Sequence, residues 1–234
     1  MENLRNRKIK GVSFSLRRGE LLGIAGLVGS GLTELVRAIY GADPSECEIY
    51  VYGRRLRIRS PEDAIRAGIG FLPEDRKGYG LVRLLSMKVN ISLASLPRMG
   101  WLGILDSRAM AEGSRKYVEA LHIQPPFLER LVLNLSGGNQ QKVILARWLL
   151  ANSEILIFDE PTRGIDVGSK AEIYRLMEEL IRQGKSIIMV SSELPEILRM
   201  SQRILVMREG EIVKELPRAA ATQELILHYA TGGK

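Results

Sequence analysis

Two short segments constrain the fold of this chain more than any others. Residues 135–142 (LSGGNQQK) place two glycines behind a serine at the start of an apolar helix, an arrangement that forms a cup of backbone amides suited to an anion. Residues 155–160 (ILIFDE) form an apolar run that ends in the adjacent carboxylates of Asp159 and Glu160. Such a run is typical of a strand buried on both faces of a sheet. Its carboxyl end can hold a magnesium ion and an attacking water.

The order of the predicted elements indicates an α/β fold with a mainly parallel sheet covered by helices. A glycine loop at 26–31 joins the first buried strand to a helix over 33–40, and an amphipathic helix is expected over 169–183. A last helix begins near Thr222. The predicted strands lie at 19–25, 49–52, 55–58, 69–72, 155–158 and 186–190, with a hairpin over 203–214.

The middle of the chain has a different sequence pattern from the segments on either side. From about Leu81 to Leu133, short helical pieces are interrupted by Pro97, Gly100, Gly103 and the Pro125–Pro126 pair. This pattern predicts an inserted helical subdomain. We therefore divide the chain into three segments, 1–80, 81–150 and 151–234.

Composition excludes several classes of protein. Apolar residues make up 45% of the chain, which is typical of an ordinary globular domain, and no apolar run is long enough to cross a bilayer. We see no secretory leader, and Cys47 is the single cysteine, so an internal disulfide is excluded and a reducing compartment is expected. The net charge of +7 is spread along the chain, and no aromatic residues interleave with its densest cluster, Arg54–Arg59. We therefore expect a solvated basic face and no nucleic-acid partner.

The glycine loop has the spacing of a phosphate-binding P-loop, G-x-x-x-x-G-K-[ST]. Thr33 stands where the magnesium-binding hydroxyl belongs, but Leu32 occupies the position of the lysine. A cation about 4 Å from a phosphate is worth roughly 4 kcal/mol at an effective dielectric constant near 20. Because Glu34 adds a negative charge as well, we expect weak triphosphate binding. The candidate nucleotide-binding residues are Gly26, Gly29, Ser30, Gly31, Leu32, Thr33 and Glu34.

Four motifs occur together and carry a family resemblance. They are PEDRK at 73–77, LSGGNQQK at 135–142, DEPTRGIDVGSK at 159–170 and SSELPEI at 191–197. The chain resembles the ATP-binding subunits of ABC transporters. Within them it is similar to the second, C-terminal nucleotide-binding domain of the tandem subunits in bacterial simple-sugar importers of the ribose, galactose and xylose type. The resemblance runs from about Ile9 to the end of the chain.

The resemblance implies a P-loop NTPase fold of the ABC type, with antiparallel strands beside the mainly parallel sheet and an inserted helical subdomain. Segment 1–80 would be the first part of the ATP-binding core, with the P-loop and the Q-loop position. Segment 81–150 would be the helical subdomain with the signature motif. Segment 151–234 would supply the Walker B carboxylates, the D-loop and the switch position.

The resemblance also assigns roles to individual residues. Glu160 would orient or deprotonate the attacking water, and Ser192 stands where the family carries its switch histidine. Magnesium would be held by Thr33, Asp159 and Glu74, the last at the position of the Q-loop glutamine. The signature residues, which would face a nucleotide bound on the P-loop of a partner domain, are Ser136, Gly137, Gly138 and Gln140.

On this basis the expected function is that of the ATP-binding half of a monosaccharide importer. ATP and Mg²⁺ are the implied ligands. The implied partners are a second nucleotide-binding domain with an intact P-loop, membrane permease subunits and, indirectly, a sugar-binding protein. The chain would be a peripheral ATPase on the cytoplasmic face of the bacterial inner membrane, and soluble and weakly active or inactive when isolated. Two alternatives remain open, a non-catalytic regulatory module and a soluble ABC ATPase without a transport role.

The chain also departs from the family pattern. The second domain usually carries arginine at the lysine position, and Leu32 lacks that charge as well. Family members have a leading strand and an aromatic residue that stacks on adenine, and Met1–Arg7 is expected to contain neither. These departures suggest a domain cut from a longer subunit, or an orphaned half.

Overall fold

The structure is a computed structural model that describes residues 1–101 and 104–233. Gly103, one of the residues expected to interrupt the helical segment, lies outside the described residues. The strands are β1 (Glu2–Arg5), β2 (Lys10–Val12), β3 (Leu21–Gly26), β4 (Glu46–Val51), β5 (Arg54–Leu56), β6 (Ile69–Leu72), β7 (Gly100–Trp101), β8 (Ile104–Leu105), β9 (Ile155–Asp159), β10 (Ser186–Ser191), β11 (Arg203–Arg208) and β12 (Glu211–Pro217).

The helices predicted at 33–40, after Gly138, at 169–183 and from Thr222 are present to within two residues, and two helices lie in the segment predicted to hold short helical pieces. Helices α2 and α7 were not anticipated from the sequence. The α-helices are α1 (Leu32–Ile39), α2 (Pro61–Arg66), α3 (Met87–Ser92), α4 (Ser107–Ala120), α5 (Gly137–Leu150), α6 (Val167–Arg182), α7 (Leu194–Met200) and α8 (Gln223–Thr231). Each of these described helices is too short or too polar to traverse a bilayer.

A six-stranded sheet confirms the predicted α/β fold. Its strand order is β12-β11-β3-β10-β9-β6. Strands β11, β3, β10 and β9 run parallel, and β12 pairs antiparallel with β11. Val190 is in register with both Ile24 of β3 and Asp159 of β9. The carboxyl ends of these three strands therefore meet at one edge of the sheet, where ligands bind in open α/β folds.

A four-stranded antiparallel sheet has the order β2-β1-β4-β5. Its strand β1 corrects the expectation that Met1–Arg7 lacks a leading strand. Only Leu4 of this strand is buried, while its three neighbours are exposed. With one buried apolar residue in four, the segment lacks the alternation of apolar and polar residues that predicts a strand. The strand is defined instead by its pairing with β2 and β4.

The strands predicted near 49–52 and 55–58 form an antiparallel hairpin. The sequence favoured a turn at Gly53 and Arg54, but the turn lies at Tyr52 and Gly53, which both have positive φ angles. Tyr50 lies opposite Arg55 in register. An aromatic ring therefore does stand beside the basic cluster, which the linear spacing did not reveal. The Tyr50 hydroxyl and the Arg55 guanidinium both bond to the carboxylate of Glu48, so the pair is engaged within the sheet.

The hairpin of β11 and β12 was also predicted correctly. It turns at Glu209 and Gly210, again with positive φ angles. Any side chain at Gly210 would overlap the carbonyl oxygen of Lys8. This turn therefore requires glycine both for its conformation and for the close approach of another backbone segment.

The chain divides into two compact units. Unit 1 comprises residues 1–71, 154–161 and 177–234, and it holds the two larger sheets. Unit 2 comprises 72–153 and 162–176, and it is mainly helical, as expected for an inserted subdomain. Its core includes a buried arginine, Arg147, whose Nε donates to the carbonyl oxygen of Asn90 at 2.8 Å.

Candidate functional site

The glycine loop of unit 1 joins the carboxyl end of β3 to the start of α1. A Cβ atom at Gly26 would lie 2.5 Å from Oγ of Ser30 and 2.7 Å from the carbonyl oxygen of Met207. Gly29 and Gly31 have φ angles of +87° and +103°. The three glycines that the sequence singled out are thus required by two different constraints, close packing at the first and backbone conformation at the other two.

The amino end of α1 is suited to an anion. Its N-cap residue, Gly31, provides no side-chain hydrogen bond to the first turn of the helix. The amides of that first turn have no partner within the helix, and they carry the positive end of its dipole. Ser30 is 7% exposed, and its Oγ has no hydrogen-bond partner among the described residues. Backbone amides and a buried hydroxyl of this kind fit a phosphate group.

Leu32 stands at the position where the P-loop pattern has a lysine, and it carries no charge. Its side chain is 8% exposed and belongs to the apolar core of unit 1. A buried leucine supplies no cation at the position from which the lysine of the P-loop pattern contacts phosphate.

Thr33 and Asp159 lie together at the sheet edge. Oγ1 of Thr33 is 3.5 Å from Oδ1 of Asp159, within hydrogen-bond range at its outer limit. Burial, together with the neighbouring charge of Glu160, raises the pKa of Asp159 to about 7, and the hydrogen bond from Thr33 opposes this rise only in part. A hydroxyl and a buried carboxylate are oxygen ligands that Mg²⁺ accepts, the remaining positions being filled by water and phosphate oxygens. No group of three or more His, Cys, Asp or Glu residues that could hold a metal occurs within 1–101 and 104–233.

Glu160 follows Asp159 in a left-handed conformation, with φ of +48°. Its Oε1 accepts a hydrogen bond from the amide of Ser192 at 2.7 Å, and its Oε2 accepts one from the hydroxyl of Ser191 at 3.3 Å. The backbone of Ser192 thus orients the candidate catalytic carboxylate, and its exposed side chain is not needed for that bond.

Ser191 and Glu196 are components that the sequence did not reveal. The buried hydroxyl of Ser191 also lies 2.8 Å from Oε2 of Glu196, and it accepts a hydrogen bond from the amide of Glu193 at 3.0 Å. Glu196 is 3% exposed. The motif SSELPEI contains both residues, but spacing alone does not show that a single hydroxyl contacts two carboxylates.

The negative charge of Glu34, which was expected to weaken triphosphate binding further, has a cationic partner in the structure. Its carboxylate forms an ion pair with the ammonium group of Lys8. Burial alone would raise the pKa of Glu34, but the hydrogen bond from Lys8 and one from a backbone amide outweigh it and hold the pKa below its ordinary value. Lys8 is distant from Glu34 in the sequence, so no local sequence pattern predicted this ion pair.

In unit 2, helix α5 begins at the glycines of the LSGGNQQK segment. Ser136 is its N-cap, and its hydroxyl accepts from the amide of Asn139 at 3.4 Å and from the side-chain amide of Asn139 at 3.0 Å. A Cβ atom at Gly138 would lie 2.7 Å from Oγ of Ser169. The helix start is therefore closely packed, and it presents backbone amides at its exposed end.

Gln140, a predicted signature residue, has its side chain turned into unit 2. It is 6% exposed, and its Nε2 donates to the carbonyl oxygens of Val132 and Leu135 at 3.1 and 3.2 Å. These bonds fix the segment that leads into α5.

Glu74, predicted as a metal ligand, forms an ion pair with Arg163 within unit 2. Its neighbour Arg76 donates to the carbonyl oxygen of Gly137 at 3.3 Å and to that of Gly164 at 3.4 Å. Burial lowers the pKa of Arg76. The two arginines link the PEDRK segment to the start of α5 and to the loop before α6, and neither had been assigned a role from the sequence.

The structure thus collects the predicted residues in two groups. Unit 1 brings the P-loop, Asp159, Glu160 and Ser192 to one sheet edge. Unit 2 holds Glu74 together with the signature residues. The residues that sequence reasoning missed are Lys8, Arg76, Arg163, Ser191 and Glu196.

Comparison with known proteins identifies a family. The family model described as ABC transporter matches residues 9–163. A protein named for ribose, galactose and methyl galactoside import in Burkholderia cenocepacia (strain HI2424) is 54% identical over 229 residues, 97% of this chain and 45% of that protein. The xylose import ATP-binding protein XylG of Thermoanaerobacter pseudethanolicus is 52% identical over 97% of this chain and 45% of its own length. The ribose import ATP-binding protein RbsA 3 of Rubrobacter xylanophilus is 53% identical over 98% and 46%.

The chain therefore spans about half the length of the curated relatives that it matches. Solved structures agree on the fold. The ATP-binding cassette MJ0796, in a dimeric post-hydrolysis state bound to ADP and phosphate, superposes with a TM-score of 0.76 at 23% identity, covering 93% of this chain and 96% of that one. The cassette MJ1267 in its ADP conformation gives a TM-score of 0.77 at 24% identity, covering 99% and 96%.

Proposed function

Because the chain belongs to the ABC transporter family, we propose that it is the ATP-binding half of a monosaccharide importer and couples ATP binding and hydrolysis to permease movement. Its own P-loop is degenerate, and its signature segment completes the site of a partner domain. The observation that carries this proposal is the contrast between two helix starts. At α1 the position of the phosphate-binding lysine is taken by the buried Leu32, whereas α5 begins with an intact LSGG segment capped by Ser136.

The chain corresponds to the second, C-terminal domain of a tandem subunit, and the partner is the half with an intact P-loop. Support comes from the degenerate loop and from relatives more than twice as long as the aligned region. Monosaccharides are the transported class because these relatives are named for ribose, galactose or xylose import. The sugar itself would be selected by the permease and a separate binding protein.

At the chain's own site, Thr33 and Asp159 would hold Mg²⁺, and Glu74 is the third proposed ligand because it stands at the Q-loop position of the family. The ion would neutralise phosphate charge and orient the phosphates. Glu160 would accept a proton from water, and the hydrogen bonds from Ser191 and Ser192 to its two oxygens support this role by orienting the carboxylate. Ser192 can offer a hydroxyl to the terminal phosphate but no imidazole.

At the partner's site, the amides of Gly137 and Gly138 face the terminal phosphate of the nucleotide held by the other domain. Ser136 and the buried Gln140 maintain the start of α5 in the conformation that presents those amides. The positive end of the helix dipole then stabilises the charge of the phosphate.

A surface of unit 2 fits the permease. Residues 82–88 and 127–133 lie side by side, joined by backbone hydrogen bonds and by a bridge between Ser86 and Leu131. They present a group of exposed apolar side chains that is unusual for a solvated surface. Its members are Val82, Leu84, Leu85, Phe127 and Leu131, and the exposed Tyr79 lies just before the first segment. Docking there would hold the chain at the cytoplasmic face of the inner membrane.

A second function has one specific observation in its favour. Both oxygens of Glu160 are already hydrogen-bonded within unit 1, and Leu32 adds no charge to the P-loop. A non-catalytic module that binds nucleotide and only regulates the partner would carry the same features. It would differ in one respect, because the Glu160→Gln substitution would leave the ATPase rate of the full complex unchanged.

The test uses the complete transporter. Ser136→Arg places a long side chain at the start of α5, and we expect at least a tenfold loss of ATPase activity and sugar uptake. Ser107→Arg makes the same change at the exposed start of α4 and serves as the matched control. Full activity of Ser136→Arg would refute the proposal that this segment completes a partner site.

A further inference from the structure

The segment that precedes β2 is fixed beside the P-loop. Oδ1 of Asn6 accepts hydrogen bonds from the amides of Lys8 and Ile9, each at 2.8 Å, which closes a tight turn. The amide of Lys10 then donates to the carbonyl oxygen of Gly210 at 2.9 Å. The amide of Gly210 in turn donates to the carbonyl oxygen of Ser30 at 2.8 Å. A continuous set of backbone bonds thus connects residues 6–10 to the glycine loop.

Side-chain packing brings the same segment against the loop. A Cβ atom at Gly31 would lie only 3.0 Å from Cδ1 of Ile9, so the two segments are in close contact. Ile9 is 1% exposed and anchors the turn in the core. Lys8, one residue earlier, points its side chain outward, and 58% of that side chain is exposed.

The Lys8 ammonium group lies at the first turn of α1. It pairs there with Glu34, the third residue of the helix, whose side chain is 30% exposed. A positive charge therefore stands beside the helix start where Leu32 supplies none. Lysine carries this charge on a flexible four-carbon stem, so a small change of side-chain torsion can redirect it.

We propose that Lys8 is a phosphate-binding residue that partly replaces the missing P-loop lysine, and that Glu34 competes with the nucleotide for it. The inference rests on the proposed function, in which the loop Gly26–Thr33 binds a nucleotide. Solvent screens the Lys8 end of this ion pair, because 58% of the Lys8 side chain is exposed, and a partly exposed pair of this kind is weak. Nucleotide phosphates carry more negative charge than one carboxylate, so they displace Glu34 from the ammonium group. Glu34 thereby lowers the affinity of the site without closing it.

The experiment is a calorimetric titration of the chain with ATP in the presence of Mg²⁺. The decisive comparison uses the Glu34→Gln background, in which Lys8 can act only on the nucleotide. We expect Glu34→Gln to tighten ATP binding three- to tenfold. Adding Lys8→Met should remove that gain, whereas Lys8→Arg should keep affinity within twofold of Glu34→Gln alone. Lys10→Met is the matched control, because Lys10 is exposed and its bond to Gly210 uses the backbone.

The outcomes separate this inference from the function on which it rests. If Lys8→Met and Lys10→Met bind ATP equally in the Glu34→Gln background, Lys8 does not contact phosphate and the inference is wrong. The Leu32→Lys variant reports on the nucleotide site itself. ATP binding by Leu32→Lys together with no effect of Lys8→Met would overturn only the inference. Failure of Leu32→Lys to bind ATP would overturn the nucleotide site, and the role of Lys8 with it.

Discussion

The backbone amide of Ser192 donates a 2.7 Å hydrogen bond to Oε1 of Glu160, while the hydroxyl of the residue before it contacts the other oxygen. The bond from Ser192 does not depend on its side chain. The two serines at the end of β10 therefore differ in what their hydroxyls do. The hydroxyl of Ser191 is buried between two carboxylates, and that of Ser192 belongs to an exposed residue.

This difference predicts opposite sensitivities to alanine. Ser191→Ala removes a donor from the buried Glu196, and we expect the free energy of unfolding to fall by about 1–3 kcal/mol. Ser192→Ala keeps the backbone bond to Glu160, and we expect a change within about 0.5 kcal/mol. Urea unfolding of the two variants checks this. Equal losses of stability would show that the hydroxyl of Ser191 is not an important partner of Glu196.

Asp159 predicts a pH dependence of stability in the absence of magnesium and nucleotide. Its pKa is raised from 3.8 to about 7, mainly by burial, so the folded state binds the proton more tightly than the unfolded state does. The free energy of unfolding should therefore fall as pH rises from 3.8 to about 7, by at most about 1.4 kcal/mol for each pH unit.

Asp159→Asn should remove this dependence. We expect the variant to be more stable than the wild type at pH 8, by about 1–3 kcal/mol, with the advantage shrinking toward pH 4. Mg²⁺ with ATP should stabilise the wild type and not the variant. Urea unfolding between pH 4 and 8 is the measurement, and a wild-type advantage at pH 8 without Mg²⁺ would contradict the prediction.

Asp166 provides a control of opposite sign. Its pKa is lowered, first by the backbone hydrogen bond from Ser169. The stability that this carboxylate contributes is present above its unfolded pKa and is lost as pH falls through its folded pKa. Asp166→Asn should therefore lower stability at neutral pH, and the difference from wild type should vanish in acid.

The glycines of the P-loop should respond to alanine for different reasons. Gly26→Ala forces a Cβ atom against Ser30 and the Met207 carbonyl, and we expect a loss of about 1–3 kcal/mol from overpacking. Gly29→Ala meets nothing within 4 Å, so its cost is only the strain of a positive φ, about 1 kcal/mol. Thermal unfolding of the two variants separates these costs. A larger loss for Gly29→Ala would contradict the packing that we describe.

The buried ion pair of Glu20 and Arg203 should be sensitive to the loss of one partner. The guanidinium of Arg203 makes two bonds to Glu20, at 2.8 and 2.9 Å, and their side chains are 10% and 5% exposed. Glu20→Gln leaves Arg203 with the half-exposed Glu215, 3.0 Å away, as its remaining carboxylate partner, and we expect a loss of about 1–3 kcal/mol. The double variant Glu20→Leu with Arg203→Met should lose less than the single variant. A greater loss in the double variant would show that the pair itself is strongly stabilising.

The architecture could be predicted because its signals are local. Continuous apolar runs marked β9 and β10, and glycines marked the loop before α1 and the hairpin of β11 and β12. Helix α2 was missed because it is only six residues long and has one buried residue, Ala64, so it lacks an amphipathic pattern. Strand β1 was missed for a similar reason, since only Leu4 is buried.

In the candidate site, the sequence predicted individual residues but not the contacts between them. Glycine spacing located the P-loop, and the strand end located Asp159 and Glu160, whose roles stay predictions. The pairings could not be foreseen, because Lys8 with Glu34 and Glu74 with Arg163 join residues far apart in the sequence. The sequence shows which charged residues are present, but it does not show which of them form ion pairs in the folded chain.

The two hairpin turns of unit 1 differ in what they allow an experimenter to attach. At Gly53 no atom lies within 4 Å of a would-be side chain, and Tyr52 beside it is 68% exposed. A fluorophore, an epitope tag or a short inserted peptide therefore has room at the β4–β5 turn. The turn at Gly210 has none, because it is clasped between the backbone of Lys8 and the glycine loop. A reporter of nucleotide binding should therefore be attached at the β4–β5 turn. The same insertion at the β11–β12 turn would disrupt the glycine loop and abolish the binding that it was meant to report.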